Sequence, residues 1–219
     1  QLASDLAQMG LRSPLLLVHS GGGSITVAEA KRCPLGLAVS GPAAGVAACM
    51  AVGEAAGLKD VVTCDLGGTS FDVSVIQHGE AARRTRGEIM GMWTALSLVD
   101  VESIGAGGGS LGWIDARGLL RVGPRSAGAV PGPACYGRGG TQPTVTDALV
   151  VLGYIDPNKF LGGDFKLDAR AAHDACAKLG AQLDMDAETT AWGIRTLALA
   201  DMIKATRRRT GALGLDLRE

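Results

Sequence analysis

Aromatic side chains are scarce in this 219-residue chain: three Trp, two Tyr and three Phe make up 4% of it. With hydrophobic residues at 47%, the core has to come from Ala, Val, Leu and Ile, which suits tight packing of helices on a sheet. An excess of charge is also missing. Lys and Arg number 21 against 22 Asp and Glu, a formal charge of −1, so there is no electrostatic footprint for nucleic acid or anionic lipid. No run approaches about 18 uninterrupted apolar residues, and QLASDLAQMG carries no basic leader region, so neither a membrane span nor a targeting signal is expected. The five cysteines, Cys33, Cys49, Cys64, Cys135 and Cys176, form no CxxC pair and no Cys/His ladder. They read as reduced thiols of a cytoplasmic protein. The chain has no initiator Met and stops at Leu217-Arg218-Glu219 without an evident closing element, as a piece of a longer protein would.

Glycine is what the chain has in plenty: 33 residues, about twice the usual share of about 7%, with no collagen period. Such glycines belong in turns and ligand-contacting loops. Leu15 to Val18 reads as a buried strand that stops at His19-Ser20-Gly21-Gly22-Gly23. A short helix is expected over Val27 to Arg32 and an apolar stretch over Leu35 to Val39. Ser40-Gly41-Pro42 then resembles a cap with Pro in the first turn, ahead of an alanine-rich helix over Ala43 to Ala56 that Gly57 ends. Val61 to Asp65 and Phe71 to Ile76 predict two strands joined by a link too short for a parallel crossover, hence an antiparallel hairpin. Further strands are expected at Ala82 to Arg86, Leu96 to Ile104, Leu111 to Asp115 and Leu119 to Val122. The Pro- and Gly-rich residues 123–143 leave no room for a long regular element, and helices follow at Val145 to Leu152, Asp168 to Leu179 and Ala187 to about Arg209, with Gly211 as the last stop.

The motif richest in chemistry is Asp65-Leu66-Gly67-Gly68-Thr69-Ser70-Phe71-Asp72. A strand delivers the Asp65 carboxylate to its end, two glycines let backbone N–H groups approach a phosphate, and Thr69 and Ser70 add hydroxyl donors. Asp65 suits Mg²⁺, which takes one or two carboxylates plus phosphate oxygens. The plainer alternative is an ordinary hairpin with Gly-Gly in its turn. Gly105 to Ser110 is either a flexible turn or, through Gly107, Gly108 and Gly109, a second anion nest facing the first loop. Asp100 and Glu102, two apart on one strand face, either bind a metal or share a proton, or stand as isolated solvated acids. Cys135 lacks a nearby histidine base; His19, His78 and His173 are scattered. Arg138 suits a phosphate, a carboxylate or loop carbonyls, Asp147 the first turn of a helix, and Arg207-Arg208-Arg209 a solvated helix end.

Ser40 to Val46 followed by DLGGTSFDVSVI resembles the second half of the nucleotide-binding core shared by actin, sugar kinases and the large heat-shock chaperones. The resemblance implies that the small-residue helix crosses between two ribonuclease-H-like domains and that Asp65 to Thr69 is the second phosphate loop. Ser103-Ile104-Gly105-Ala106-Gly107-Gly108-Gly109-Ser110, Arg121-Val122-Gly123-Pro124, the run Pro131 to Gly140, and Thr144-Val145-Thr146-Asp147-Ala148 narrow it. In order from about Leu15 to about Arg209, they are similar to the hydantoinase A/oxoprolinase family. Its members are ATP-dependent enzymes that open cyclic amides such as 5-oxoproline and hydantoins, or, in a sister branch, carboxylate ketones. They act with a hydantoinase B-type subunit or domain. Full-length members also have an earlier Asp-Gly-Gly-Thr loop and a later adenosine-binding segment, which this chain does not contain. Many relatives have His where Glu102 stands, Asp where Val130 stands and Asn where Leu149 stands.

The fold implied is α/β, an actin-like ATPase portion over residues 1–143 with a mixed sheet and antiparallel hairpins, then a helical region over 144–219. The function implied is an ATP-dependent cyclic-amide hydrolase that phosphorylates the amide oxygen before ring opening, in an oligomer. A ketone carboxylase subunit and a non-enzymatic nucleotide-gated module are the alternatives. On this reading Asp65 supports Mg²⁺ or another divalent metal, with Glu102 as a further oxygen ligand. Gly67, Gly68, Thr69, Ser70 and Gly107 to Gly109 contact the nucleotide, and Asp72 orients the loop or the attacking group.

Overall fold

The computed structural model describes residues 1–89 and 91–216, with only the backbone described at Gly87 and Glu88. Leu217-Arg218-Glu219, on which the reading of an open chain end rests, lie outside the described residues. The fold is mixed α/β, made of helices and small antiparallel sheets. It consists of two compact units interleaved in sequence, residues 1–65 with 73–102 and residues 66–72 with 103–219.

In the first unit, helix α1 (Leu2–Gln8) buries none of its residues. Strand β1 (Leu16–Val18) pairs antiparallel with β2 (Ser24–Thr26), Leu17 opposite Ile25. The glycine loop thus closes a short hairpin, and Leu16 is exposed rather than buried as the apolar run suggested. Helix α2 (Val27–Arg32) has the expected bounds because its start is a reciprocal cap: the Glu29 N–H donates to Thr26 Oγ1 (3.2 Å) and the Thr26 N–H to the Glu29 carboxylate (2.9 Å). The apolar stretch after it winds into a 3₁₀ turn, Pro34–Leu37.

Helix α3 (Ser40–Ala55) begins three residues before the expected position, and Ser40 is inside it rather than capping it. Pro42 is accommodated because first-turn N–H groups have no intrahelical partner to lose. At the other end Gly57 adopts φ +73°, its N–H reaching the Glu54 carbonyl (3.1 Å) and Leu58 N–H the Gly53 carbonyl (2.8 Å), the glycine stop that the sequence predicts. Ala43 and Val46 of this helix pack with Ile76 and Val99. Strands β3 (Val61–Leu66) and β4 (Phe71–Gln77) are hydrogen-bonded neighbours, and β5 (Glu80–Ala81) folds back on β4 with Ile76 opposite Ala81. Both faces of β4 are covered, so Ser74 is buried and satisfied: its N–H donates to Thr63 Oγ1 (3.2 Å) and its hydroxyl to the Asp100 carbonyl (2.9 Å).

The two long strands expected at 82–86 and 96–104 are broken into shorter pieces. Of the first only β6 (Arg83–Arg84) forms and of the second β9 (Leu98–Val99) and β10 (Glu102–Ile104), with β6 paired to β9; between them an unexpected pair, β7 (Gly87–Ile89) and β8 (Met92–Thr94), forms. Val101 N–H turns back to the Val99 carbonyl (3.1 Å), which separates β9 from β10.

In the second unit, β11 (Ser110–Ile114) and β12 (Leu120–Ser126) form a bulged antiparallel hairpin against which α4 (Val145–Val151), α5 (Ala169–Gly180) and α6 (Ala187–Ala212) pack. β12 runs through Pro124, further than expected, and a 3₁₀ turn at Ala134–Tyr136 interrupts the loop read as irregular. α5 buries Ala172, Ala175, Cys176 and Leu179, one face at helical spacing. Gly211 does not stop α6: the helix passes through it, and Gly214 at φ +71° supplies the left-handed turn, with Leu215 N–H returning to the Thr210 carbonyl (3.0 Å). Among the described residues no helix is long and apolar enough to cross a membrane.

Candidate functional site

The bend of the β3–β4 hairpin is a tight turn closed by Gly67 N–H donating to the Ser70 carbonyl (2.9 Å). Among the described residues the N–H groups of Gly68, Thr69 and Ser70 have no partner. Gly67, Gly68 and Thr69 are exposed and Ser70 is half-buried, so three consecutive backbone donors are unpaired on an otherwise ordered turn. Such a row of N–H groups is an anion nest.

What orders the turn is the second glycine run. Gly108 N–H donates to the Gly67 carbonyl (2.9 Å) and Gly109 N–H to the Gly68 carbonyl (2.6 Å), while Gly107 N–H donates to Ser110 Oγ (2.9 Å). All three N–H groups are therefore spent, which corrects the reading of Gly107, Gly108 and Gly109 as a facing anion nest. They support the first loop from beneath. Glycine is required there by closeness: a Cβ on Gly109 would lie 2.9 Å from both the Gly68 oxygen and Ser126 Oγ. The run is itself anchored, since the Gly108 carbonyl accepts from both Thr146 N–H (2.8 Å) and Thr146 Oγ1 (2.9 Å), and the Gly109 carbonyl from Ala127 N–H (2.8 Å).

Beneath this layer is Asp147, fully buried. Its carboxylate accepts from Ala134 N–H (3.1 Å), Cys135 N–H (2.8 Å), Thr144 N–H (2.8 Å) and Thr144 Oγ1 (2.8 Å). More than a first-turn acid, Asp147 holds the Pro- and Gly-rich loop to the start of α4. The reciprocal Thr144/Asp147 cap was visible as Thr-x-x-Asp, but its reach to residues 134 and 135 was not.

Asp72 has one carboxylate oxygen receiving the Ser70 hydroxyl (3.3 Å) and the other buried without a partner among the described residues. A buried acceptor with no donor is costly, and it marks a place where a water or bound group is wanted. In the first unit, Asp65 is exposed at the end of β3, and its Oδ2 lies 3.6 Å from where a Cβ on Gly45 would stand. One free carboxylate fits Mg²⁺, which keeps most of its waters and binds through one or two acids plus phosphates.

Glu102 is half-buried at the start of β10, and among the described residues no three His, Cys, Asp or Glu side chains gather as a metal-ligand set. The Asp100/Glu102 pair is not a solvated face, because Asp100 is buried and ion-paired with Arg84. Cys135 is no nucleophile: burial, and after it the nearby Asp147 charge, push its thiol far up, so it stays protonated. The Arg138 guanidinium lies over the Phe165 ring, 5.1 Å from its centroid. His19 accepts the Gly21 N–H (2.9 Å) and braces that turn. Arg209, read as solvated, is buried because it shares a helix face with Ala198, Met202 and Ala205.

A family model described as hydantoinase/oxoprolinase matches residues 1–219. The chain is 38% identical over 213 residues to the caprolactamase subunit alpha of Pseudomonas jessenii, covering 97% of this chain and 31% of that protein. It is 37% identical to the acetophenone carboxylase gamma subunit of Aromatoleum aromaticum, covering 95% and 29%. A nucleotide-free structure of acetone carboxylase, from work on ATP-dependent acetone carboxylation, matches with a TM-score of 0.88 at 31% identity over 97% of this chain and 30% of that one. The chain thus spans about a third of the length of these relatives.

Proposed function

The chain belongs to the hydantoinase/oxoprolinase family, and from that premise we propose that it is the central part of an ATP-dependent enzyme that opens a cyclic amide. The observation that carries this reading is the turn Gly67–Ser70, with three unpaired N–H groups held in place by Gly107–Gly109. These donors, with the Thr69 hydroxyl, would hold nucleotide phosphates, and Asp65 would hold Mg²⁺ through one carboxylate and water. ATP, when bound, supplies the phosphoryl group that turns an amide oxygen into a leaving group. The chain's own contribution is electrostatic and positional: a preorganised row of backbone donors needs no reorganisation as charge develops. Asp72 fixes the loop through Ser70, and its second oxygen, buried without a donor, would accept a proton or hydrogen bond from the attacking group.

The fold class that goes with this function is the actin-like one, with α3 as the crossing helix and the β3–β4 bend as the second phosphate loop. Because the named relatives are subunits, a hydantoinase B-like partner and an oligomeric assembly belong to the same reading. A second reading, an ATP-dependent ketone carboxylase, is favoured by the TM-score of 0.88 to acetone carboxylase. It uses the same loop to activate an enol oxygen instead.

The test is ADP release by the full-length protein with its partner subunit, with Mg-ATP and either a lactam, hydantoin or 5-oxoproline, or a ketone plus bicarbonate. Stimulation by a cyclic amide is expected. Stimulation by a ketone alone would move the assignment to the carboxylase, and none by either would leave a nucleotide-gated module. Asp65→Ala should abolish turnover; unchanged turnover would remove the loop from the nucleotide site.

A further inference from the structure

The second unit has a cavity of about 370 Å³, between the β11–β12 hairpin, residues 141–143 and α5, that shares no lining residue with the loop Gly67–Ser70. Its size is in the range of metabolite-binding pockets. Two cations line it, Arg125 and Lys178, together with the neutral polar side chains of Thr141, Gln142 and Gln182, and among the described residues no acidic one does. Neither cation has a carboxylate partner among the described residues.

Both cations are placed rather than adrift. The Arg125 guanidinium lies over the Trp113 ring, 5.4 Å from its centroid, and that ring is fixed by its indole N–H donating to the Gly123 carbonyl (2.7 Å). A contact between a guanidinium and a ring face spends none of its N–H donors, which stay available to take a carboxylate or phosphate in two hydrogen bonds. Lys178 is in the last turn of α5, where free carbonyls would ordinarily offset an ammonium. Here they are all taken: Ala177, Leu179 and Gly180 carbonyls accept from Ala181, Gln182, Leu183 and Met185 N–H groups, and the Lys178 carbonyl from the Gln182 amide. The 141–143 wall is tied to the hairpin by Gly112 N–H donating to the Pro143 carbonyl (2.8 Å).

We propose that this cavity binds a small oxyanion, a carboxylate or phosphate group of a metabolite-sized molecule, in the fork of Arg125 and beside the ammonium of Lys178, with Gln142 and Thr141 as neutral partners. The site is separate from the nucleotide loop and stands whether or not that loop binds ATP.

The test is calorimetric titration of the full-length protein with sodium phosphate and with sodium succinate, each against sodium chloride of matched ionic strength. Saturable binding of at least one is expected, phosphate alone pointing to a phosphoryl ligand and succinate to an organic acid. Arg125→Gln and Lys178→Gln, both at exposed positions, should each weaken that binding about tenfold or more and leave basal ADP release unchanged. Absence of saturable binding to either anion, or binding undiminished in both variants, would overturn the proposal.

Discussion

A Cβ on Gly107 would stand 2.5 Å from the amide nitrogen of Thr69. The two loops that meet here are 38 residues apart in sequence, and the contact is backbone to backbone, with no flexible side chain able to move aside. Gly107→Ala must therefore push the unpaired donors of the first loop out of line. We expect about 1–3 kcal/mol of destabilisation from overpacking and a loss of ADP release in the full-length protein larger than that destabilisation accounts for. Denaturant unfolding and initial-rate assays on the same preparation check both.

Asp147→Asn keeps the shape of the side chain but replaces one acceptor oxygen with a donor, facing N–H groups from residues 134, 135 and 144. Hydrogen bonds to a charged acceptor contribute about 1.5–3 kcal/mol each, so a loss of at least about 2 kcal/mol is expected in urea unfolding. Proteolytic cutting within residues 123–143 should rise with it.

Thiol labelling of the native protein should modify Cys33 and Cys64, which are exposed, and spare Cys135 and Cys176, which are buried. Burial pushes the Cys176 thiol up to about 12, and Cys135 is shifted further in the same direction. Both therefore remain thiols at neutral and mildly alkaline pH. Mass spectrometry after brief alkylation, with and without urea, reads the result; early modification of Cys135 in native buffer would contradict the burial.

Asp115 turns the β11–β12 connection, accepting from Arg117 and Leu119 N–H groups and pairing with Arg121. The Arg121 bond first, then the backbone donors, hold its carboxyl below the usual range. A carboxyl with a lowered folded pKa stabilises above its unfolded value of about 3.9 and loses that contribution as pH falls through the folded one. The melting-temperature gap between wild type and Asp115→Asn should thus be full at pH 7 and shrink below about pH 4.

The end of α6 offers a paired test. Gly211 is inside the helix with open space where a Cβ would go, so Gly211→Ala should stabilise by about 0.5–1 kcal/mol. Gly214 is left-handed, and Gly214→Ala should destabilise by about 1 kcal/mol. Thermal unfolding of the two variants should move in opposite directions.

These cases show which levels of structure were legible in the chain. The hairpin bend at Gly67-Gly68, the bounds of α2 and the stop at Gly57 follow from neighbours within a few residues, and the structure has them as read. Gly211 continues α6 where the sequence predicts a stop, because a glycine in a helix and one ending it look alike in sequence; the sign of φ three residues later decides. Arg209 is buried where its charge predicts solvation, because helical phase puts it on the face shared with Ala198, Met202 and Ala205.

By itself the sequence determined the family, the small-residue helix followed by a glycine hairpin, and the placement of donors and carboxylates along that hairpin, all local in the chain. Only the tertiary structure decided how the remaining groups are used. It spent the N–H groups of Gly108 and Gly109 on the first loop's carbonyls and that of Gly107 on Ser110 Oγ, tied Asp147 to residues 134 and 135, took Asp100 into an ion pair and left Arg125 and Lys178 unneutralised around one cavity. The physical reason is that a hydrogen-bonding group's role is set by whichever partner is within about 3 Å of it, and for these groups that partner, or its absence, depends on residues far away in sequence.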